Sequence, residues 1–220
     1  NKSSILVGDF LFSRAFQLMV ATKSLSILEV LSNAAAIIAE SEVLQLTNIK
    51  NINIGLKTYF KIIEGKTAEL FSAACETGAM IATSNLNEIK SFKSYGKSIG
   101  ICFQLIDDYL DYKGDKKIMG KLIGNDFFNS KLTYPIIITL NEGTYSEKEK
   151  IENLFKKKQK TQNDLKLILE ILDNNDALKK TKIEAIKWSK KAKEEIQKIP
   201  QNTITTLLQE LADSIISRSS

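Results

Sequence analysis

The sequence has no histidine, only two cysteines and only two prolines, and each scarcity removes a class of explanation. Without imidazole there can be no histidine-dependent serine or cysteine triad, no histidine-bound zinc and no histidine acid–base chemistry. Any reaction must then be carried by carboxylates, lysines, hydroxyls or a bound metal. Cys75 and Cys102 lie inside apolar helical patterns without ligand-type spacing and are expected to be reduced core residues. With prolines only at 135 and 200, and ten glycines in all, long stretches run unpunctuated, which suits long helices better than many short strands. Arginine is confined to Arg14 and Arg218, so the formal charge of +5 is almost wholly lysine. Lysines around 155–160 and 179–198 alternate with acids and apolar residues, which reads as solvated helix faces and not as a nucleic-acid surface. No uncharged apolar run approaches the roughly 18 to 20 residues that cross a bilayer, and no basic-then-apolar leader opens the chain, so neither a span nor a targeting segment is expected.

What is present is enough for one sizeable core: 220 residues, 43% hydrophobic and 26% charged. One all-α domain over residues 1–220 is expected, with no repeat, linker or low-complexity segment. The opening at Asn1, running straight into an apolar pattern, reads as a fragment. Residues 5–22 are apolar enough for a buried helix, and Leu25, Leu28, Leu31, Ala35 and Ile38 mark a second packed beside it. Tyr59, Phe60, Ile63, Leu70, Phe71 and Ala74 mark a third through about Met80, and a fourth runs from about Glu88 to Tyr112 after caps at Ser84 and Asn85. Gly114, Gly120 and Gly124 then punctuate a loop. The β-branched stretch 133–140 could be a strand, but Pro135 near its start favours a helix. Further helices are expected over about 146–158, 161–173, 176–198 and 203–217.

The chemistry concentrates in residues 100–114, where helical spacing puts Gly100, Gln104, Asp107, Asp108 and Asp111 on one face. Three carboxylates at about 5 Å repel by roughly 3 kcal/mol per pair at an effective dielectric of about 20, unless a cation intervenes. Oxygen-only ligands point to a hard ion such as Mg²⁺ bound together with substrate phosphates. Apolar Ile101, Cys102, Phe103, Leu105 and Ile106 nearly surround the polar strip, which suggests a cleft wall in place of a solvated face. Downstream, Lys121, Asp126 and Lys131 lie in a glycine-punctuated segment suited to an anionic group. Upstream, Lys66-Thr67 lies in a largely apolar helix, with Ile63 and Leu70 on the side of Lys66, so that its ammonium is expected to be partly desolvated.

The order Gly8-Asp9, Lys66-Thr67, Phe103-Gln104-x-x-Asp107-Asp108-x-x-Asp111, Gly120-Lys121, Asp126 and Lys131 resembles that of trans-type polyprenyl diphosphate synthases over nearly the whole chain. The resemblance implies an isoprenoid-synthase helical bundle around a central cleft, working as a cytoplasmic homodimer. It implies a Mg²⁺-dependent prenyltransferase that joins isopentenyl diphosphate to an allylic diphosphate. By the same resemblance Asp107, Asp108 and Asp111 hold metal, Lys66, Lys121 and Lys131 hold the allylic diphosphate, and Thr67 and Gln104 line its reacting end. Ser41 and Ser130 stand where the family pattern carries glycine, and the family's first aspartate-rich motif has no counterpart here, so this portion by itself is expected to be weak or inactive. Two other readings stand beside it. One is a catalytically silent homologue or regulatory partner subunit; the other is a class I terpene cyclase, against which Asp107-Asp108-x-x-Asp111 argues.

Overall fold

The computed structural model describes residues 2–113 and 123–218, and among them there are helices and no strand. In chain order α1 spans Lys2–Ala21 and α2 Leu25–Thr47. Next, α3 (Leu56–Ile63) passes through a π-helical turn, Glu64–Ala68, directly into α4 (Glu69–Ala82). The long α5 covers Leu86–Lys113, and α6 is the single turn Asn125–Phe128. After these come α7 (Tyr134–Glu142), α8 (Tyr145–Lys156), α9 (Gln162–Asn174), α10 (Ala177–Gln197) and α11 (Thr203–Ser217).

Local chemistry accounts for most boundaries. Ser24 caps α2 through its side chain, and Asn85 Oδ1 accepts the Asn87 N–H at the start of α5. Thr144 with Glu147, Thr161 with Asp164 and Asn202 with Thr205 form capping boxes for α8, α9 and α11. Pro135 occupies the first turn of α7, where a missing N–H costs nothing, so the β-branched stretch is a helix as expected, its Ile136 and Ile137 fully buried.

The bundle is built around α5, whose most extensive neighbours are α10 and α4. Tyr95, Ile99, Ile101, Cys102, Leu105 and Ile106 along α5 are each 2% exposed or less. Its glycines let α4 come to backbone contact: a methyl added at Gly96 would lie 2.4 Å from the Phe71 carbonyl oxygen, and one at Gly100 2.4 Å from the Ala68 Cα. The same economy joins α2 to the π-helical turn, where a methyl on Gly65 would overlap the Ser41 hydroxyl. Ser41 is therefore accommodated because its opposite number is glycine. Ser130 adopts φ +57°, the left-handed region that explains an expectation of glycine; there its hydroxyl meets the Lys160 ammonium.

One expectation is corrected. The first helix is not buried: no residue of α1 is, and Ile5, Phe10 and Phe12 are 65%, 68% and 58% exposed. Among the described residues its main neighbour is α2, and that contact is sparse, so most of its apolar surface is uncovered. By length and composition α1 also reaches what crossing a bilayer requires, 20 residues with few charges, although Asp9 and Arg14 interrupt its apolar run.

The close approach at Gly100 yields a test. Gly100→Ala is expected to lower stability by about 1 to 3 kcal/mol through overpacking. Gly78→Ala, with nothing within 4 Å of the new methyl, should leave stability unchanged or raise it by up to about 1 kcal/mol. Urea unfolding of the two variants checks the contrast.

Candidate active site

The strip on α5 continues from packing into chemistry. One turn beyond Gly100, Gln104 faces the π-helical turn and its Oε1 accepts the Thr67 hydroxyl at 2.9 Å. Its Nε2 donates to Asp108 Oδ1 at 3.0 Å and to Asp107 Oδ2 at 3.3 Å. Thr67 can reach Gln104 because Gly100 allows Ala68, its chain neighbour, to rest on the α5 backbone.

Asp108 is 1% exposed. Its Oδ2 accepts the Tyr59 hydroxyl at 2.6 Å and the Tyr134 backbone N–H at 3.2 Å, so groups from α3 and from the start of α7 meet on it. Burial pushes its carboxyl above the usual range, against the pull of the Lys131 charge and of the hydrogen bonds from Tyr59 and Gln104. One turn on, Asp111 Oδ2 accepts the Asp126 N–H at 3.0 Å, while its carbonyl accepts that of Gly124 at 2.7 Å. Gly124, at φ +76°, makes the turn that brings Asp126 here. Burial first, and the Asp126 charge second, push the Asp111 carboxyl up to about 6.

Lys131 supplies the opposing charge. Its ammonium lies 3.3 Å from each Asp126 carboxylate oxygen. Burial draws it down, but Asp108, Asp126 and Asp107 together hold it above its ordinary value. Asp107, Asp108, Asp111 and Asp126 thus gather with Lys131 near this end of α5.

Lys66 is partly buried, as the sequence suggests, but its close partners are polar. Its ammonium reaches Gln45 Oε1 at 2.7 Å and Glu42 at 3.0 Å on α2, and its side chain is 36% exposed. Ile63 is buried but Leu70 is 56% exposed, so no apolar sleeve surrounds Lys66. The π-helical turn adds a residue to the turn, so spacings of three and four do not carry a face across residues 64–68. Gly120 and Lys121 lie outside the described residues, while Gly8 and Asp9 are on exposed α1.

The expectation of three converging carboxylates is also corrected. Among the described residues no group of three acids is arranged to hold a metal ion. Asp108 is turned inward to Tyr59 and Tyr134, and Asp111 toward the α6 backbone. The donor set is nevertheless oxygen only, and its charge is in excess over Lys131, which suits a hard divalent cation. Tyr59, Glu42 and Gln45 went unrecognised as site residues. Tyr59 stands in the sequence simply as one aromatic in a helical pattern, and no spacing rule links it to a carboxylate 49 residues away.

The chain has known relatives. The polyprenyl synthetase family pattern matches residues 1–172. Octaprenyl diphosphate synthase of Escherichia coli strain K12 is 36% identical over 218 residues, covering 99% of this chain and 67% of its own length. A polyprenyl synthase from Caulobacter crescentus, solved with calcium and isoprenyl diphosphate, superposes with a TM-score of 0.94 at 39% identity, over 100% of this chain and 67% of that one. A decaprenyl diphosphate synthase from Rhodobacter capsulatus gives 0.93 at 38% identity, over 100% and 68%. The chain spans about two thirds of the length of these relatives. With the fold and these likenesses in agreement, the chain belongs to the polyprenyl synthetase family.

Proposed function

We propose that this chain carries the diphosphate-holding half of a prenyltransferase that extends an allylic diphosphate with isopentenyl diphosphate. The observation that carries the reading is the meeting of Asp107, Asp108, Asp111 and Asp126 with Lys131 beside the Thr67–Gln104 pair. Such an excess of acid suits a substrate that arrives with divalent metal and leaves as pyrophosphate. The complex of the Caulobacter relative with calcium and isoprenyl diphosphate supports the same substrate class.

In this reading Asp107 and Asp111 would hold Mg²⁺, with Asp108 steadying them from the buried side. When bound, the ion would supply positive charge against the oxygens of the departing diphosphate. Lys131, and by resemblance Lys66 and Lys121, orient those oxygens as point charges. The allylic carbon–oxygen bond breaks, the electron pair leaves with the diphosphate, and the double bond of isopentenyl diphosphate attacks the cation; loss of a proton restores a neutral chain. Thr67 and Gln104 set polar atoms at the cation end, held to each other by the Thr67 hydroxyl donating to Gln104. The buried apolar flank of α5, from Ile101 to Ile106, keeps bulk water from that side.

The direct test incubates the longest natural polypeptide containing this chain with Mg²⁺, farnesyl diphosphate and labelled isopentenyl diphosphate. Products longer than the primer by multiples of five carbons are expected, and no incorporation at saturating substrate overturns the reading. Asp107→Asn and Asp111→Asn should each lower turnover by about 100-fold or more while the helical circular-dichroism melt stays cooperative. Lys131→Ala should raise KM for the allylic diphosphate by about tenfold or more, as loss of a charged hydrogen bond does.

Asp111 adds a pH signature. Its carboxyl titrates at about 6 in the fold and near 4 when unfolded, so between those values the folded chain holds a proton that the unfolded chain has released. Metal-free stability should therefore fall as pH rises from about 4 to about 6. Asp111→Asn should shallow that slope, and melting temperatures across the window read both.

A further inference from the structure

We propose that Tyr59 is a positioning residue for this site, acting through Asp108 to set the direction of the Gln104 amide and, through it, of the Thr67 hydroxyl. The proposal deepens the prenyltransferase reading and rests on it for its kinetic consequence, though not for its structural one.

The polarity of the network follows from what each group can do. Asp107 and Asp108 as carboxylates only accept, so the edge of Gln104 that faces both must be its amide nitrogen. The opposite edge is then Oε1, which can only accept, so Thr67 must be the donor. A donating Thr67 has its lone pairs left to face outward, where its oxygen can meet positive charge. Reversing the amide would set its carbonyl against two carboxylates and make Thr67 an acceptor.

What holds this polarity is the placement of Asp108, and that placement depends on Tyr59. Asp108 Oδ1 serves Gln104, while Oδ2 receives the Tyr59 hydroxyl at 2.6 Å and the longer Tyr134 N–H at 3.2 Å. Tyr59 is itself fixed: it is 4% exposed, with its ring centroid 5.4 Å from that of Phe60 and 5.7 Å from that of Tyr134. Without its hydroxyl, Asp108 keeps one weaker partner on that oxygen and is free to turn about its side chain, taking Oδ1 from Gln104. The amide then retains only Asp107, and Thr67 loses its oriented acceptor. The influence of Tyr59 on Gln104 and Thr67 is carried by this chain of hydrogen bonds.

Tyr59→Phe removes one oxygen and keeps the ring. In the longest natural polypeptide containing this chain, it is expected to lower kcat by about tenfold or more, with KM for both diphosphates within about twofold. In a Gln104→Ala background the same change should alter kcat by less than about twofold, since the group that Tyr59 sets is already gone. An equal loss in both backgrounds, or a change confined to KM, overturns the proposal. A readout independent of catalysis accompanies these. In ¹⁵N spectra of the unsubstituted chain the Gln104 side-chain amide protons should exchange slowly with water, and in Tyr59→Phe they should exchange as fast as exposed glutamines. Fast exchange in the unsubstituted chain, or slow exchange in the variant, overturns it as well. If the unsubstituted protein proves inactive, the prenyltransferase reading fails, and the amide exchange alone decides the role of Tyr59.

Discussion

Burying the carboxylate of Asp108 almost completely would cost several kcal/mol unless its oxygens were met by donors, and this constraint governs how the elements around it are arranged. The donors come from three places: the Tyr59 hydroxyl on α3, the Tyr134 N–H at the start of α7 and the Gln104 amide one turn back on α5. None can shift far without leaving the carboxylate short of a partner. A buried charge that is fully satisfied thus ties α3, α5 and α7 at the point where the site begins.

Glycine and a π-helical turn supply the packing that lets this happen. Gly65, Gly96 and Gly100 remove side chains where α2, α4 and α5 would otherwise be kept apart; at Gly96 and Gly100 backbone meets backbone, and at Gly65 the Ser41 side chain rests on the backbone. The π-helical turn over Glu64–Ala68 directs Thr67 to Gln104 and Lys66 to Glu42 and Gln45, so adjacent residues serve different neighbours. The polar groups divide accordingly: a polar wall on α5, with Lys131 reaching toward it from the segment after α6 and Lys66 turned to α2. On the outer side, α1 lies apart from this interlocking, with its phenylalanines and leucines uncovered among the described residues.

Much of the helical order was legible along the chain because helices are specified locally. Periodic apolar residues, side-chain caps such as Thr144 and Asn202, and Pro135 at a first turn act over three or four residues, and the boundaries at α8 to α11 fell close to where those signals stand. The face bearing Gln104, Asp107, Asp108 and Asp111 was legible for the same reason, being one regular α-helical edge. The environment of Lys66 was not, since a π-helical turn breaks the period on which that reading relied. The exposure of α1 was not either: apolar composition shows that a surface seeks cover, not whether a neighbour provides it.

By itself, then, the sequence determined that this is an all-helical chain with an oxygen-only, histidine-free polar edge, and the order of its motifs pointed to its family. Only the tertiary structure decided which acids turn inward and which turn toward Lys131 and the α6 backbone, and that a tyrosine 49 residues upstream holds Asp108. The physical reason is range. Hydrogen bonding within a helix is settled by residues a turn apart, whereas the orientation of a carboxylate is settled by whichever donors the packed helices bring to it, and those donors are distant in sequence.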